Sequence, residues 1–193
     1  MPKWLLLMLV VAGCAGSPPA QIYVLGYPED PARAMIEQAD RPVIRLIPVS
    51  IPDYLDTRDI LIRSGQNQVT ASPTGRWAER LSVGMTHALA AALSTRLPDA
   101  EIVYNQSVVP PARQILVDVE ALEITPDRKC LLTASWTLAS GDGDQVLRRE
   151  HDNFVQQATD TSDAAIAVAI SRTIDQLADK IASRAQSSAS AGQ

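Results

Sequence analysis

The sequence predicts an α/β protein of the α+β type: one domain in which a mixed β-sheet with an antiparallel meander packs against two long amphipathic helices. Apolar residues recur at spacings of three and four in segments 74–98 and 161–186, which is the periodicity of a helix with one buried face. Shorter segments between them alternate apolar and polar residues, as half-buried strands do. The chain has 193 residues, of which 46% are hydrophobic and 20% charged, and this suits one globular domain.

The N-terminus reads as a targeting segment. One positive charge, Lys3, precedes nine apolar residues, Trp4–Ala12, a run too short to cross a bilayer, which needs about 20 residues in a helix. The run ends in Val-Ala-Gly-Cys, which resembles the bacterial lipobox, so residues 1–13 are expected to be a signal peptide cut between Gly13 and Cys14. The alternative is a small buried cysteine in a segment that is never cut.

A lipobox implies a covalent lipid anchor: diacylglycerol on the Cys14 sulfur and an acyl chain on the new amino group. Several acyl chains hold a protein on a membrane stably, whereas one holds it only marginally. We expect residues 14–20 to be the lipidated cysteine and a flexible Ser/Pro tether, 21–185 the folded domain, and 186–193 a disordered tail.

The charge balance excludes partners that bind by positive charge. The formal net charge is −5, and loss of Lys3 with the signal peptide makes it −6, so nucleic acid is not an expected partner and membrane attachment must depend on the lipid. Once Cys14 is acylated, Cys130 has no cysteine to pair with. It lies in an apolar run and is expected to be a buried small residue rather than a redox or metal-binding group.

Before the first helix the patterns predict short strands. Gln21–Gly26 is expected to be a strand, 27–42 a polar connection with one helical turn opened by Asp30-Pro31, and 43–52 a central strand whose Pro48 lies at an edge or bulge. Residues 59–73 predict a hairpin that turns at 64–67.

The first helix is expected within 74–98, with Trp77 and Leu81 among the residues of one apolar stripe. A short strand at 101–105 follows. The alternation in 113–125 changes phase after Val119, which indicates a bulge. After turns at 126–129 and 141–144 come strands 130–140 and, more polar and therefore suited to an edge, 145–157. The second helix begins after an N-cap at Thr161 or Ser162 and fills 161–186.

Residues that could carry catalysis are few. His87 and His151 lie in no metal-binding or nucleophile motif, and no phosphate-binding glycine loop occurs. The stretch 140–145 contains Asp142 and Asp144 but lacks the other ligands of a calcium loop, so a turn explains it better. We therefore expect a protein that is not an enzyme and holds no catalytic residue, no metal and no cofactor beyond the lipid on Cys14.

Two stretches, 51–63 and 75–81, combine aromatic, proline and charged residues between apolar runs. A structured loop that closes the edge of the core explains them. From the residues alone this explanation is the favoured one, and the alternative is a docking surface, because aromatic and leucine side chains beside fixed turns make good anchors. The candidate interface residues are Ile51, Pro52, Asp53, Tyr54, Leu55, Asp56, Arg58, Arg76 and Trp77.

The order of these motifs carries a family resemblance. A lipobox, "YVL", "IPDYLD-x-R-x-I-x-x-R", "RWAERL", "LSTRLP", "SWTL", "QVLRRE" and a closing Ala/Ile/Leu helix together resemble the PqiC/YmbA family of ABC-type transport auxiliary lipoproteins. The resemblance covers nearly the whole mature chain, except residues 26–42 and the tail.

The resemblance implies a lipoprotein on the periplasmic face of the outer membrane, and Ala15 directly after the lipidated cysteine agrees with that sorting. It implies as partners an MCE-domain protein and the transporter components of the inner membrane, in lipid transport between the membranes that maintains the barrier. Some members form homo-oligomeric rings that cap an MCE tunnel. Our leading hypothesis is a docking subunit; a stand-alone periplasmic shuttle that binds lipid in its own cavity is the alternative, and an envelope hydrolase lacks a catalytic set.

Overall fold

The computed structural model describes residues 19–26, 41–105 and 107–190, with side chains to Ser187. The predicted signal peptide, Cys14 and the predicted helical turn after Asp30 lie outside the described residues. The strands and helices are β1 (Gln21–Tyr23), β2 (Val43–Leu46), β3 (Asp59–Gly65), β4 (Gln68–Trp77), α1 (Leu81–Arg96), β5 (Glu101–Val103), β6 (Arg113–Ile124), β7 (Lys129–Ser140), β8 (Val146–Gln157) and α2 (Asp163–Ser190). None of the described helices is long and apolar enough to span a membrane.

The larger sheet has five strands in the order β5-β2-β6-β7-β8. β2 is parallel to both of its neighbours, and β6, β7 and β8 form the predicted antiparallel meander with β8 at the edge. The register of β6 on β7 shifts between Val119 and Ala121, which confirms the predicted bulge. The helices cover one face of this sheet, because Val117, Leu132 and Trp136 are buried while their neighbours along each strand are more accessible.

A second sheet has the order β1-β4-β3, so the fold contains two sheets where the sequence predicted one. The predicted hairpin is present as β3 and β4, and β1 lies parallel to β4. Trp77 was expected on the first helix but ends β4. Its amide donates to the carbonyl of Arg58 (2.7 Å) and it pairs with Tyr23, so strand neighbours on both sides hold it and the helix starts only at Leu81.

Helix α1 is buried over more than one face. Gly84, Thr86 and Ala90 are buried together with the apolar stripe of Leu81, Met85 and Leu93, which differs from the single stripe that the sequence suggested. α1 contacts α2 on one side and β5 on another. The buried Thr86 provides a hydrogen-bond partner for a buried backbone group, because its Oγ1 accepts the amide of Val49 (2.9 Å).

Helix α2 covers β7 and β8 and begins at Asp163, with Ser162 as its N-cap: Ser162 Oγ accepts the amide of Ala165 at 3.1 Å. The helix runs through Ser190, so our expectation of disorder from residue 186 is wrong for 186–190. Alanine, serine and glutamine allow a helix to continue, and Gln186 Nε2 donates to the carbonyl of Arg96 (3.3 Å).

Two glycines allow close approach near the start of α2. Gly26 has φ +80° and donates its amide to Ser171 Oγ (3.0 Å), while a Cβ there would lie 3.1 Å from Ala88. At Gly75, a Cβ would lie 2.6 Å from the carboxylate of Asp163, which accepts the hydroxyl of Thr74 at the same distance. β1 and β4 are therefore packed tightly onto the helix pair.

The molecule has two ends that the following sections use. The proximal end comprises β1 and the start of α2, which meet where Gly75 of β4 approaches Asp163, together with the start of α1, which follows soon after β4. The distal end comprises the start of β6, the β7–β8 turn and the last turns of α2, where Arg113 donates to the carbonyl of Ala185 (2.7 Å). Strands of 12 residues join the two ends, a length of about 40 Å.

Candidate docking surface

The loop after β2 is held in one conformation by its backbone. It leaves the sheet at Ser50, which bridges to Asp118, and then forms a 3₁₀ turn over Asp53–Leu55. The carbonyl of Pro52 accepts the amide of Leu55 at 2.9 Å. Leu55 is 4% exposed and belongs to the core, whereas its neighbour Tyr54 is 54% exposed. The turn therefore buries the side chain of Leu55 in the core and exposes the adjacent ring of Tyr54 to solvent.

Asp56 joins this loop to the first turn of α1. Its Oδ1 accepts the amide of Ser82 (3.1 Å), and its other oxygen binds the Arg80 guanidinium. Arg80, at the N-cap position of α1, makes no capping bond of its own, so a carboxylate from a distant loop performs that function. Partial burial of Asp56 opposes its ionisation, but the Ser82 and Arg80 contacts outweigh burial and lower the pKa of the Asp56 carboxyl.

Charged side chains extend the surface across the smaller sheet. Arg76 lies on β4 between Ile22 of β1 and Asp59 of β3, with its Nε 3.5 Å from Asp59 Oδ1. The Arg76 side chain is 63% exposed, and Arg58 is also exposed. An ion pair this open contributes at most about 1 kcal/mol to folding, which leaves the guanidinium available to a partner.

The structure brings part of the predicted interface together. Asp53, Tyr54, Arg58 and Arg76 are exposed around the start of α1, and we call these four residues the proximal surface. Ile51, Pro52 and Asp56 are partly buried beneath them. Leu55 and Trp77 are 4% and 5% exposed, so these two are core residues that support the surface and do not form its contacts, a correction to the predicted set.

A shallow groove beside Tyr54 was not predicted. It lies where β3 and β4 meet the end of β6, and its lining includes Tyr54, Val69 and Leu122. Arg63 closes one side: its guanidinium donates to both oxygens of Glu123, at 3.2 and 2.5 Å, and this carboxylate raises the pKa of Arg63. The groove forms where two sheets meet, and local sequence patterns do not reveal such a contact. Its one local sign in the sequence was Arg63, the charged residue directly after the apolar residues of β3.

One polar cluster resembles a catalytic set only in composition. On the open face of the meander, Ser135 Oγ donates to Glu120 (2.5 Å), and His151 Nδ1 lies 3.1 Å from Glu120 and 3.3 Å from Ser135. Both partners meet the same ring nitrogen, whereas a hydrolase triad uses the two nitrogens for different partners. The Ser135 hydroxyl donates to the Glu120 carboxylate, so the arrangement differs from the serine–histidine relay of such a triad.

The two other residues considered for chemistry, His87 and Cys130, each have identifiable structural contacts. The His87 ring packs against Tyr104 at a tilt of 56°, with ring centroids 5.1 Å apart, and its Nδ1 lies 3.1 Å from Glu79. Cys130 is fully buried, and burial raises the pKa of its thiol to about 11, as expected for an unreactive cysteine. In the described part of the chain, no three His, Cys, Asp or Glu side chains are grouped as a metal site.

Solved structures share this fold. A crystal structure of an uncharacterised protein matches with a TM-score of 0.72 at 16% identity, covering 86% of this chain and 99% of the other. Protein XCC0632 from Xanthomonas campestris matches with a TM-score of 0.66 at 12% identity, over 91% of this chain and 98% of the other. Among curated proteins, no sequence matches.

A family model covers most of the described domain. The model of the ABC-type transport auxiliary lipoprotein component matches residues 23–182, from the end of β1 into the last third of α2. The matched region includes both sheets, both helices and the proximal surface. The chain therefore belongs to the family of ABC-type transport auxiliary lipoprotein components.

Proposed function

We propose that this protein is a non-enzymatic outer-membrane lipoprotein subunit of an MCE/ABC-type lipid transport system, and that it docks on or caps the periplasmic MCE component. One observation carries the proposal: Tyr54 is held out to solvent on a loop that is fixed on both sides, by Leu55 in the core and by Asp56 on α1. Membership of a transport auxiliary family supports a partner of this class.

A preformed surface suits docking. Tyrosine and arginine are enriched among the residues that dominate binding energy, and the proximal surface places Tyr54, Arg58 and Arg76 around one helix start. Because the loop backbone is already ordered, binding does not have to immobilise it, which removes part of the entropy cost of association.

The proposed anchor is Cys14, carrying diacylglycerol on sulfur and an acyl chain on nitrogen after cleavage behind Gly13. Seven residues, Cys14–Ala20, separate it from β1, and they reach at most about 25 Å when extended. This tether keeps the proximal end near the membrane and leaves space beneath it for a partner. Ala15 supports sorting to the outer membrane.

The alternative function is a stand-alone lipid shuttle, and a single measurement distinguishes it from a docking subunit. A shuttle needs an apolar cavity, whereas the second buried face of α1 packs directly against α2. Native mass spectrometry of the purified protein distinguishes the two: phospholipid bound in stoichiometric amount favours the shuttle, and a protein free of phospholipid favours docking.

The docking proposal predicts that Tyr54→Ala weakens binding of the purified MCE-domain component about tenfold, and that Arg76→Ala weakens it less, as expected for an anchor and a neighbouring charge. Surface plasmon resonance with the lipidated protein measures both. Arg172→Ala, an exposed arginine on α2, is the matched control and should leave the affinity unchanged. Equal affinities for wild type, Tyr54→Ala and Arg76→Ala would contradict the proximal surface.

A further inference from the structure

Apolar side chains are exposed together at the distal end. Val108 is fully exposed, Val109 and Val146 are more than half exposed, and Leu147 is 39% exposed. We call these four residues the distal patch. Single exposed apolar residues are ordinary, but here two exposed pairs flank one junction, where Pro111 approaches Gly141, and this indicates a surface that another molecule covers.

The distal patch is built onto the fold. Val108 and Val109 lie in the segment 107–112 before β6, which we call the valine loop, and Pro110 and Pro111 restrict its backbone. The carbonyl of Pro111 lies so close to Gly141 that a Cβ added at residue 141 would fall far inside van der Waals contact. Gln114 Nε2 donates to the carbonyl of Gly141 at 2.6 Å. The β7–β8 turn is closed by the backbone amide of Ser140, which donates to the carbonyl of Gln145 at 2.9 Å. The valine loop and the β7–β8 turn are thus fastened to each other.

The position of the distal patch argues against the anchoring membrane as its occupant. β1 follows the tether directly and lies at the proximal end, beside Gly75 and the start of α2. About 40 Å of strand separates the two ends, which exceeds the reach of the seven-residue tether. A domain that stands on its tether therefore directs the distal patch away from the membrane.

The charges beside the distal patch further limit which class of molecule can bind it. Asp142 and Asp144 are exposed in the turn that precedes Val146, and the exposed Arg148 and Arg149 follow Leu147. Arg148 is paired with Glu150 (2.6 Å) and Arg149 donates to Thr137 Oγ1 (3.3 Å), so the charge of the turn itself is that of the two carboxylates. Asp142 accepts the hydroxyl of Ser140 and the amide of Asp144, contacts that lower the pKa of its carboxyl and keep it ionised. These carboxylates repel anionic lipid headgroups. They also repel their own copies if two distal patches meet about a two-fold axis.

We infer that the distal patch docks a protein whose contact surface has an apolar centre flanked by lysine or arginine, and that this protein is the MCE-domain component of the proposed transport system, which reaches the domain from the side opposite its anchor. The inference rests on the proposed function. It adds a second contact region, about 40 Å from the proximal surface, so that the domain bridges its membrane and its partner along the length of the strands.

Binding of the purified MCE-domain component to the full lipidated chain tests this inference. The double variant Val108→Asp with Val109→Asp should weaken binding at least tenfold, because it charges the apolar centre. Asp142→Lys with Asp144→Lys should weaken it at least threefold and make the remaining affinity less sensitive to salt. Val168→Asp, an equally simple change at a valine of α2 that is 40% exposed, is the control and should reduce affinity by less than twofold. Circular dichroism and thermal unfolding of each variant establish that it is folded.

The outcomes separate the two proposals. If wild type binds no MCE-domain component, the proposed function fails and the partner inferred here fails with it. If wild type binds and the double valine variant binds equally well, the proposed function stands and the distal patch is not a docking surface. If the valine change alters the subunit number in sedimentation, or abolishes flotation of the non-acylated Cys14→Ser protein with phosphatidylethanolamine/phosphatidylglycerol vesicles, a second copy or a bilayer is the occupant and the inference is overturned.

Discussion

Adjacent residues in the 52–56 loop have opposite functions. Tyr54 faces solvent, Leu55 fills the core, and Asp56 caps α1 through the amide of Ser82. The sequence predicted that this stretch is structured, but it could not tell which apolar residue points inward, because a single 3₁₀ turn has too few residues for a periodic pattern. Local spacing also misplaced Trp77. Its distance of four residues from Leu81 fits a helix, but its backbone pairs with Tyr23 in a sheet.

Asp56→Ala should lower the free energy of unfolding by about 1 kcal/mol, the usual cost of losing a helix cap. Urea unfolding of the purified protein measures this. Asp53→Ala is the matched control, since Asp53 is an exposed aspartate in the same turn, and it should change stability by less than about 0.5 kcal/mol. Equal losses for the two variants would show that Asp56 does not act as a cap. A lowered native pKa also means that the Asp56 contribution is present above its ordinary pKa and is lost as pH falls.

At the scale of elements, α2 is fastened to the edge strand β8 by charge. Glu150 of β8 accepts from Arg148 of the same strand (2.7 Å) and contacts Arg184 (2.9 Å) and Lys180 (3.6 Å) of α2. The Glu150 side chain is 14% exposed. Burial opposes its ionisation, but the Arg148 hydrogen bond and the charges of Arg184 and Lys180 prevail and lower the pKa of the Glu150 carboxyl.

This network predicts an acid-sensitive contact. Because the native pKa is lowered, the Glu150 contribution is complete above its ordinary pKa of about 4.3 and is lost as pH falls below that value. Glu150→Gln should cost about 1 kcal/mol at pH 7 and reduce the loss of stability between pH 5 and pH 3, measured by thermal unfolding across that range. The exposed Glu101→Gln is the control. A Glu150→Gln variant with the wild-type pH dependence would contradict the network.

Elements were predictable where a pattern repeats. The meander from β6 to β8, its bulge, the edge position of β8 and the Ser162 cap all follow from alternation and turn chemistry within one segment. The partition into two sheets did not follow, because it depends on which strand pairs with β1, a contact between segments more than 50 residues apart. The extension of α2 was missed because Gln186 and Ser187 are exposed and the residues that follow them resemble a polar tail in sequence.

At the scale of the whole molecule, the long strands separate two exposed regions. The proximal surface lies beside the strand that follows the tether, and the distal patch lies where β6 begins and β7 turns into β8. Sequence motifs located the first region, since three of its four residues lie within 53–58. The second brings together the loop at 108–109 and the start of β8 at Val146, which are joined through Gly141 by the close approach of Pro111 and the hydrogen bond from Gln114.

The central claim, that a lipid-anchored domain docks a transport component through Tyr54, is tested most directly by crosslinking in the native envelope. A photoreactive amino acid in place of Tyr54, in the full acylated chain, should form an adduct with the MCE-domain component that mass spectrometry identifies. The same probe at Asn67, exposed in the β3–β4 turn, is the control for position, and Cys14→Ser, which cannot be acylated, should greatly reduce the adduct. Anchored protein that forms no such adduct from position 54, or forms it equally from position 67, would contradict the account.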